Sequence, residues 1–304
     1  MLFEVVHTTG YRYSVPVSEA YLEARLTPPK REDQDVLSHR IDFNPEAKMS
    51  DYTDYFGNVA TFYSMTLRHE QLKVTNRMTV RTKPRNLALE ALQLNVAEAR
   101  QILGSAMTDI FDYLQPTAAV PTSGPAVSWA KKIFKSSSPI RVALQDLNEA
   151  VNEHFTYKSG VTQNSTPLAS IWKKREGVCQ DFAHIMLSVL RAAGLPGRYV
   201  CGYIESDSPK ANGTEGNLVG SLATHAWVEV MLPGLRWVAL DPTNKQWCGE
   251  RHITVSVGRD FSDAAPVRGT FKGSGTQSIS VSVSMRRLTD PHLEIAGSSM
   301  IPTV

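Results

Sequence analysis

Gly177-Val178-Cys179-Gln180-Asp181-Phe182 decides the fold, because it sets a cysteine at the start of the most regular helix in the chain. From Phe182, apolar residues recur at Ile185, Met186, Val189, Leu190 and Ala193, the spacing of one helical face. Gly194 and Pro196 then stop the helix. So wide an apolar stripe predicts a central, buried helix. A thiol at a helix N-terminus faces N–H groups that lack intrahelical acceptors, and the positive end of the helix dipole. Both favour the thiolate, which is the nucleophilic form.

Working outward, the next informative stretch lies downstream. Arg198 to Ile204 reads as a strand, and the Ser-, Gly- and Asn-rich residues 205–221 read as a mobile surface loop. Thr224 to Met231 and Arg236 to Leu240 read as two strands joined by a turn at Leu232-Pro233-Gly234. Counting equal arms out from that turn sets His225 directly opposite Asp241 at one end of the hairpin.

Cysteine, histidine and aspartate in that frame can supply a nucleophile, a base and a group that holds the base's tautomer. Taken singly, each has an ordinary structural reading. A helix-start cysteine can be inert, a strand histidine can be a satisfied core residue, and Asp-Pro often opens a turn. Together Cys179, His225 and Asp241 point to acyl transfer through a thioester. The backbone N–H of Cys179 is a natural oxyanion donor. Tyr157, Gln163 and Trp172 are candidates for a second donor, and Gln180 is a further candidate at the oxyanion or along the cleft. Trp227 falls on the same strand face as His225 and Glu229, where it either walls the cleft or packs in the core. Asp181 in the first helical turn suits capping. No short-spaced ligand pair suggests a metal site, and no cofactor is expected.

Further out, residues 1–85 read as a β-rich domain. Phe3, Val5 and His7 alternate with their neighbours, as do Val74, Asn76, Met78 and Val80, and Gly57-Asn58 signals a turn. Residues 86–125 read as a helical connector and linker, 126–260 as a catalytic core, and 261–304 as a C-terminal loop and strand that complete the fold. In the last stretch Ile279, Val281, Val283 and Met285 alternate with serines, as in a half-buried strand.

Composition bounds the rest. The 304 residues carry 32 basic and 30 acidic side chains, too even a balance for a nucleic-acid stripe. Three cysteines make no disulfide framework, and no apolar run matches a membrane span or a secretory signal. A cytoplasmic protein acting on a peptide or protein substrate, with no nucleic-acid or membrane partner, is the expectation. Its oligomeric state is not readable.

Gly177 to His184, Ala193 to Tyr203, Thr224 to Glu229 and Trp237 to Asn244 resemble the core motifs of the transglutaminase-like superfamily. Tyr13 to Val17, Leu26 to Pro29, Asp54 to Asn58, Val257 to Phe261 and Pro266 to Gly269 resemble the bacterial members of that group. The resemblance implies an α+β fold: an N-terminal β-rich domain, then a papain-like core whose cysteine helix packs on an antiparallel sheet. It also implies Cys179 as nucleophile, His225 as base and Asp241 as orienter. The oxyanion tryptophan of animal transglutaminases has no motif match here, and nothing resembles a calcium loop. The expected activity is a peptidase or amidase, with glutamine transamidation as the alternative and a non-catalytic binding module as a second one.

Overall fold

A computed structural model describes residues 1–85, 89–205 and 224–289. Most of the loop expected at 205–221 therefore lies outside the described residues. Six strands come first: β1 (Leu2–Val17), β2 (Glu19–Thr27), β3 (Gln34–Asn44), β4 (Lys48–Thr53), β5 (Val59–Met65) and β6 (His69–Thr82). Helices α1 (Leu89–Leu92), α2 (Val96–Gly104), α3 (Met107–Leu114), α4 (Gly124–Ile133) and α5 (Ile140–His154) follow. Then come β7 (Thr156–Tyr157), α6 (Leu168–Lys174), β8 (Glu176–Gly177) and α7 (Cys179–Ala192). The chain continues through β9 (Gly197–Ile204), β10 (His225–Leu232), β11 (Arg236–Asp241), β12 (Gln246–Trp247) and β13 (His252–Gly258). The last described elements are α8 (Phe261–Ala264), β14 (Val267–Lys272) and β15 (Gln277–Leu288).

The architecture is α+β. Two four-stranded sheets, β15-β1-β6-β3 and β14-β2-β5-β4, face one another across Tyr11, Leu22, Phe43, Tyr63 and Leu72. The last two strands therefore return to the N-terminal sheets, β15 beside β1 and β14 beside β2. The alternation along β6 has a direct cause: Val74, Asn76, Met78 and Val80 are all buried. In β15 the alternation is only partly buried. Val283 is 9% exposed, whereas Ile279 and Val281 are 55% and 49% exposed.

The second core surrounds α7, which packs on the antiparallel sheet β12-β11-β10-β9-β13. Every residue of α7 from Asp181 to Arg191 is buried, so the helix is enclosed on all sides rather than along one stripe. Gly194 ends it at φ 68°, a conformation that favours glycine.

Two side-chain amides join the halves. The Gln34 side chain donates to the Thr254 carbonyl at 3.0 Å and accepts from the Thr254 N–H at 2.9 Å. Asn58 does the same at Val257, donating at 2.7 Å and accepting at 2.8 Å. Both close the outer edge of β13, which ends the sheet. Asp54, which accepts from the Phe56 and Asn58 N–H groups, shapes the turn that carries Asn58.

No helix among the described residues is long and apolar enough to cross a membrane.

Candidate active site

Local sequence explains why Cys179 starts its helix. The Asp181 carboxylate folds back to accept from the Val178 N–H at 2.9 Å and from the Thr162 hydroxyl at 2.8 Å. That occupies an orphan donor of the first turn. Gly177 makes the fold-back possible, since a Cβ there would lie 2.7 Å from the carboxylate oxygen. Asp181 is thus a cap. Cys179, in the first turn, is partly exposed, whereas Cys201 and Cys248 are buried.

The hairpin brings His225 and Asp241 together, with a correction to the register. Leu232 pairs with Arg236 and Val228 with Leu240, so the pairing runs two residues off the equal-arm count. The turn is Pro233-Gly234-Leu235, with positive φ at Gly234 and Leu235, and it starts one residue later than the sequence suggests. His225 and Asp241 are therefore diagonal neighbours rather than directly opposed. A shift of an even number keeps both on one face, so the contact survives.

That contact is short and buried: His225 Nε2 lies 2.8 Å from Asp241 Oδ2, with both side chains fully enclosed. Asp241 also accepts from the Thr243 N–H at 3.0 Å, the Asn244 N–H at 3.2 Å and the Asn244 side-chain amide at 2.8 Å. His252 Nε2 approaches the same carboxylate at 3.3 Å. The Gly249 N–H donates to His252 Nδ1, which leaves Nε2 as the protonated nitrogen facing Asp241. His252 does not stand out in the sequence, and Asn244 appears there only as the last residue of the stretch Trp237 to Asn244. A further His reaching the Asp is invisible without the strand order that brings β13 back to the sheet.

Electrostatics follow from this shell. Burial alone would raise the Asp241 carboxyl, but the imidazoles of His225 and His252 hold it below the usual carboxylate range. Burial alone would lower His225, but the Asp241 charge and Cys179 outweigh it and raise the ring to about 10. An ionised Asp241 can only accept, so His225 Nε2 carries a proton. Nδ1 is then the nitrogen that gains or loses the ring's second proton, and it is buried and closes no hydrogen bond. Cys179 lines the same cleft as His225.

Cys179 and His225 open onto a cleft of about 380 Å³. One wall comes from α7 and the hairpin sheet, the other from His7, Thr9 and Tyr11 of β1 with Ile279 and Val281 of β15. A larger hollow of about 1200 Å³, lined by Gly10, Arg12 and Ser280, holds none of the three candidate residues. Of the other candidates, Tyr157 and Gln180 line the cleft and Gln163, Trp172 and Trp227 do not. Burial raises the Tyr157 hydroxyl, and Cys179 adds to that shift, so Tyr157 stays a proton donor beside the thiol. Trp172 packs edge-on against Trp129 and Phe155. Trp227 is completely buried behind the site, against His225 and His252. Strand alternation put it on the correct face, but Gly202 on the adjacent strand leaves room for the ring to sink inward. Among the described residues no cluster of His, Cys, Asp and Glu could hold a metal ion.

Comparison with known proteins bears on the family and the fold. Residues 127–242 match the transglutaminase-like superfamily, and residues 3–81 match the bacterial transglutaminase-like N-terminal region. An uncharacterized protein of Mycobacterium leprae is 36% identical over 288 residues, which are 93% of this chain and 98% of that one. A protein-glutamine gamma-glutamyltransferase of Pseudomonas aeruginosa is 40% identical over 74 residues, only 24% of this chain and 11% of its own. A solved structure of a candidate cysteine protease from Cytophaga hutchinsonii superposes with a TM-score of 0.72 at 20% identity. It covers 95% of this chain and 92% of its own, a likeness of fold. The chain belongs to the transglutaminase-like superfamily and carries the bacterial N-terminal region of that family.

Proposed function

We propose that the protein is a cysteine-dependent acyl-transfer enzyme that cleaves amide bonds of a peptide or protein, with water as the acceptor. The observation that carries this reading is the buried His225–Asp241 contact of 2.8 Å, with Cys179 lining the same cleft as His225. Raised to about 10, His225 holds the Cys179 proton at Nδ1 as the imidazolium near neutral pH, and the Sγ thiolate attacks the carbonyl carbon. The Cys179 N–H meets the developing oxyanion, and Tyr157 or Gln180 supplies the second donor. The C–N bond breaks, the imidazolium gives its proton to the leaving amine, and a thioester remains. His225 then deprotonates water, which attacks the thioester, breaks the C–S bond and restores the thiolate beside the imidazolium. Asp241 holds the ring and stabilises the imidazolium throughout.

Transamidation is the competing outcome, since a primary amine could replace water at the thioester. The partial similarity to a protein-glutamine gamma-glutamyltransferase favours it. The open cleft favours water, because transamidation needs a dry site.

The test mixes enzyme with a glutamine-containing peptide and a primary amine, and weighs the products. Carboxylic acid products support hydrolysis, and amine adducts support transamidation. Cys179→Ala should abolish both products, and activity that survives this change overturns the reading.

A further inference from the structure

Ile279 and Val281 are large apolar residues that the strand leaves half in water. They share a face with Val283, which is buried. Register with β1 puts Ile279 opposite Tyr11 and Val281 opposite Thr9, and all four line the cleft that holds Cys179. The apolar face of β15 is thus packed at one end and open where it meets the cleft. Exposed branched side chains beside a nucleophile mark a contact surface rather than a packing need.

Away from the Cys179–His225 pair, the described lining of the cleft is also neutral. Among the described residues lining it, none is Asp, Glu, Lys or Arg. Tyr11, Tyr157, Tyr199 and Phe261 contribute aromatic surface. His7 is satisfied by the Tyr203 hydroxyl at 2.8 Å and by Thr9 at 3.1 Å, and burial lowers its pKa to about 4, so it is uncharged near neutral pH. A charged side chain brought here would lose water and gain no counter-ion. The volume of about 380 Å³ suits a short stretch of peptide.

We infer that this cleft selects an uncharged, apolar peptide segment beside the scissile amide, and that Ile279 and Val281 read it. The inference rests on the proposed function and deepens it by naming the substrate class.

The test uses the full chain and three chloroacetamide peptide probes that carry leucine, glutamate or lysine next to the electrophile. Iodoacetamide serves as a small reference, and modification of Cys179 is followed by peptide mass mapping. The leucine probe should label Cys179 at least about tenfold faster than either charged probe. Replacing Ile279→Lys together with Val281→Lys should turn the preference toward glutamate. If that variant does not fold, the wild-type ratio decides alone. Equal rates for the three peptide probes, with iodoacetamide still labelling Cys179, overturn the inference and leave the cysteine chemistry standing. Failure of iodoacetamide to label Cys179 overturns the proposed function and the inference with it.

Discussion

Asp241 and Glu229 are both wholly buried carboxylates of one sheet, and partners hold both below the usual carboxylate range. Their partners differ in kind. Glu229 meets Arg31 at 2.6 Å, Arg85 at 3.2 Å and Arg198 at 2.6 Å. Asp241 meets two imidazoles, an amide side chain and two backbone N–H groups. A guanidinium does not release its proton, so the Glu229 cluster is a fixed set of charges. An imidazole does, so the Asp241 cluster can pass a proton to and from a neighbour. Equal burial and an equal direction of shift therefore do not identify chemistry. What identifies it is a partner that can change its charge, with a cleft on its far side.

The contrast can be broken most severely at Asp241. Asp241→Asn keeps the shape but removes the charge that fixes the His225 tautomer, and kcat should fall by roughly 10⁴-fold with the fold retained. A loss under tenfold would put Asp241 in the structural class with Glu229. Glu229→Gln should do the reverse. It leaves guanidiniums short of a counter-charge and should cost about 3–5 kcal/mol in denaturant unfolding, with kcat per folded molecule little changed. His252→Gln retains an N–H donor, whereas His252→Ala removes a hydrogen bond to a charged group worth about 1.5–3 kcal/mol. The alanine variant should lose roughly 10- to 100-fold in kcat, and glutamine should recover most of it.

Acidity separates the two clusters further. His225 is raised from 6.5 to about 10, so its protonated form is stabilised by folding. That contribution is complete below the unfolded value and is lost as pH rises through about 10. Under the proposed mechanism, the alkaline limb of kcat/KM should lie near there, and Asp241→Asn should move it down by at least one unit. Glu229 is depressed, so its contribution is complete above the ordinary carboxylate range and fades as the solution is acidified. Acid titration of Glu229→Gln should therefore show a shallower loss of stability than wild type. The smallest effect belongs to Arg236→Ala, whose partner Glu32 is 81% exposed. That change should cost less than about 1 kcal/mol in the same unfolding assay.

The site is more legible in the sequence than the cleft around it. Residue spacing from Phe182 to Ala193 places α7, and the structure starts that helix at Cys179 because Asp181 caps it. The hairpin is legible as well, but the position of its turn is not, and a turn that starts one residue later shifts the register by two residues. Local patterning carries α7 and the hairpin. Long-range pairing decides the rest. His252 reaches Asp241 only because β13 joins the far side of β9. The N-terminal half shows no catalytic constellation in its sequence, and yet Thr9 and Tyr11 wall the cleft. Their role depends on β15 pairing with β1, a contact between the two ends of the chain that no local period encodes. Tyr157 and Gln180 lie close to Cys179 in space, whereas Gln163 turns back on Thr166 in its own loop.

Gln34 and Asn58 carry a further consequence. Each offers one donor and one acceptor to a single residue of β13, as a neighbouring strand would. Two side-chain amides thus stand in for a missing strand, and the sheet has no raw edge there on which a second molecule could pair. The same substitution ties the fates of the two halves. Pulling them apart would strip four backbone groups of their partners at once, a cost that neither half recovers alone. Heating should therefore melt the sandwich and the helix-bearing core in one transition rather than two. A core expressed without its first 85 residues would meet its neighbours through β13, and aggregate there first.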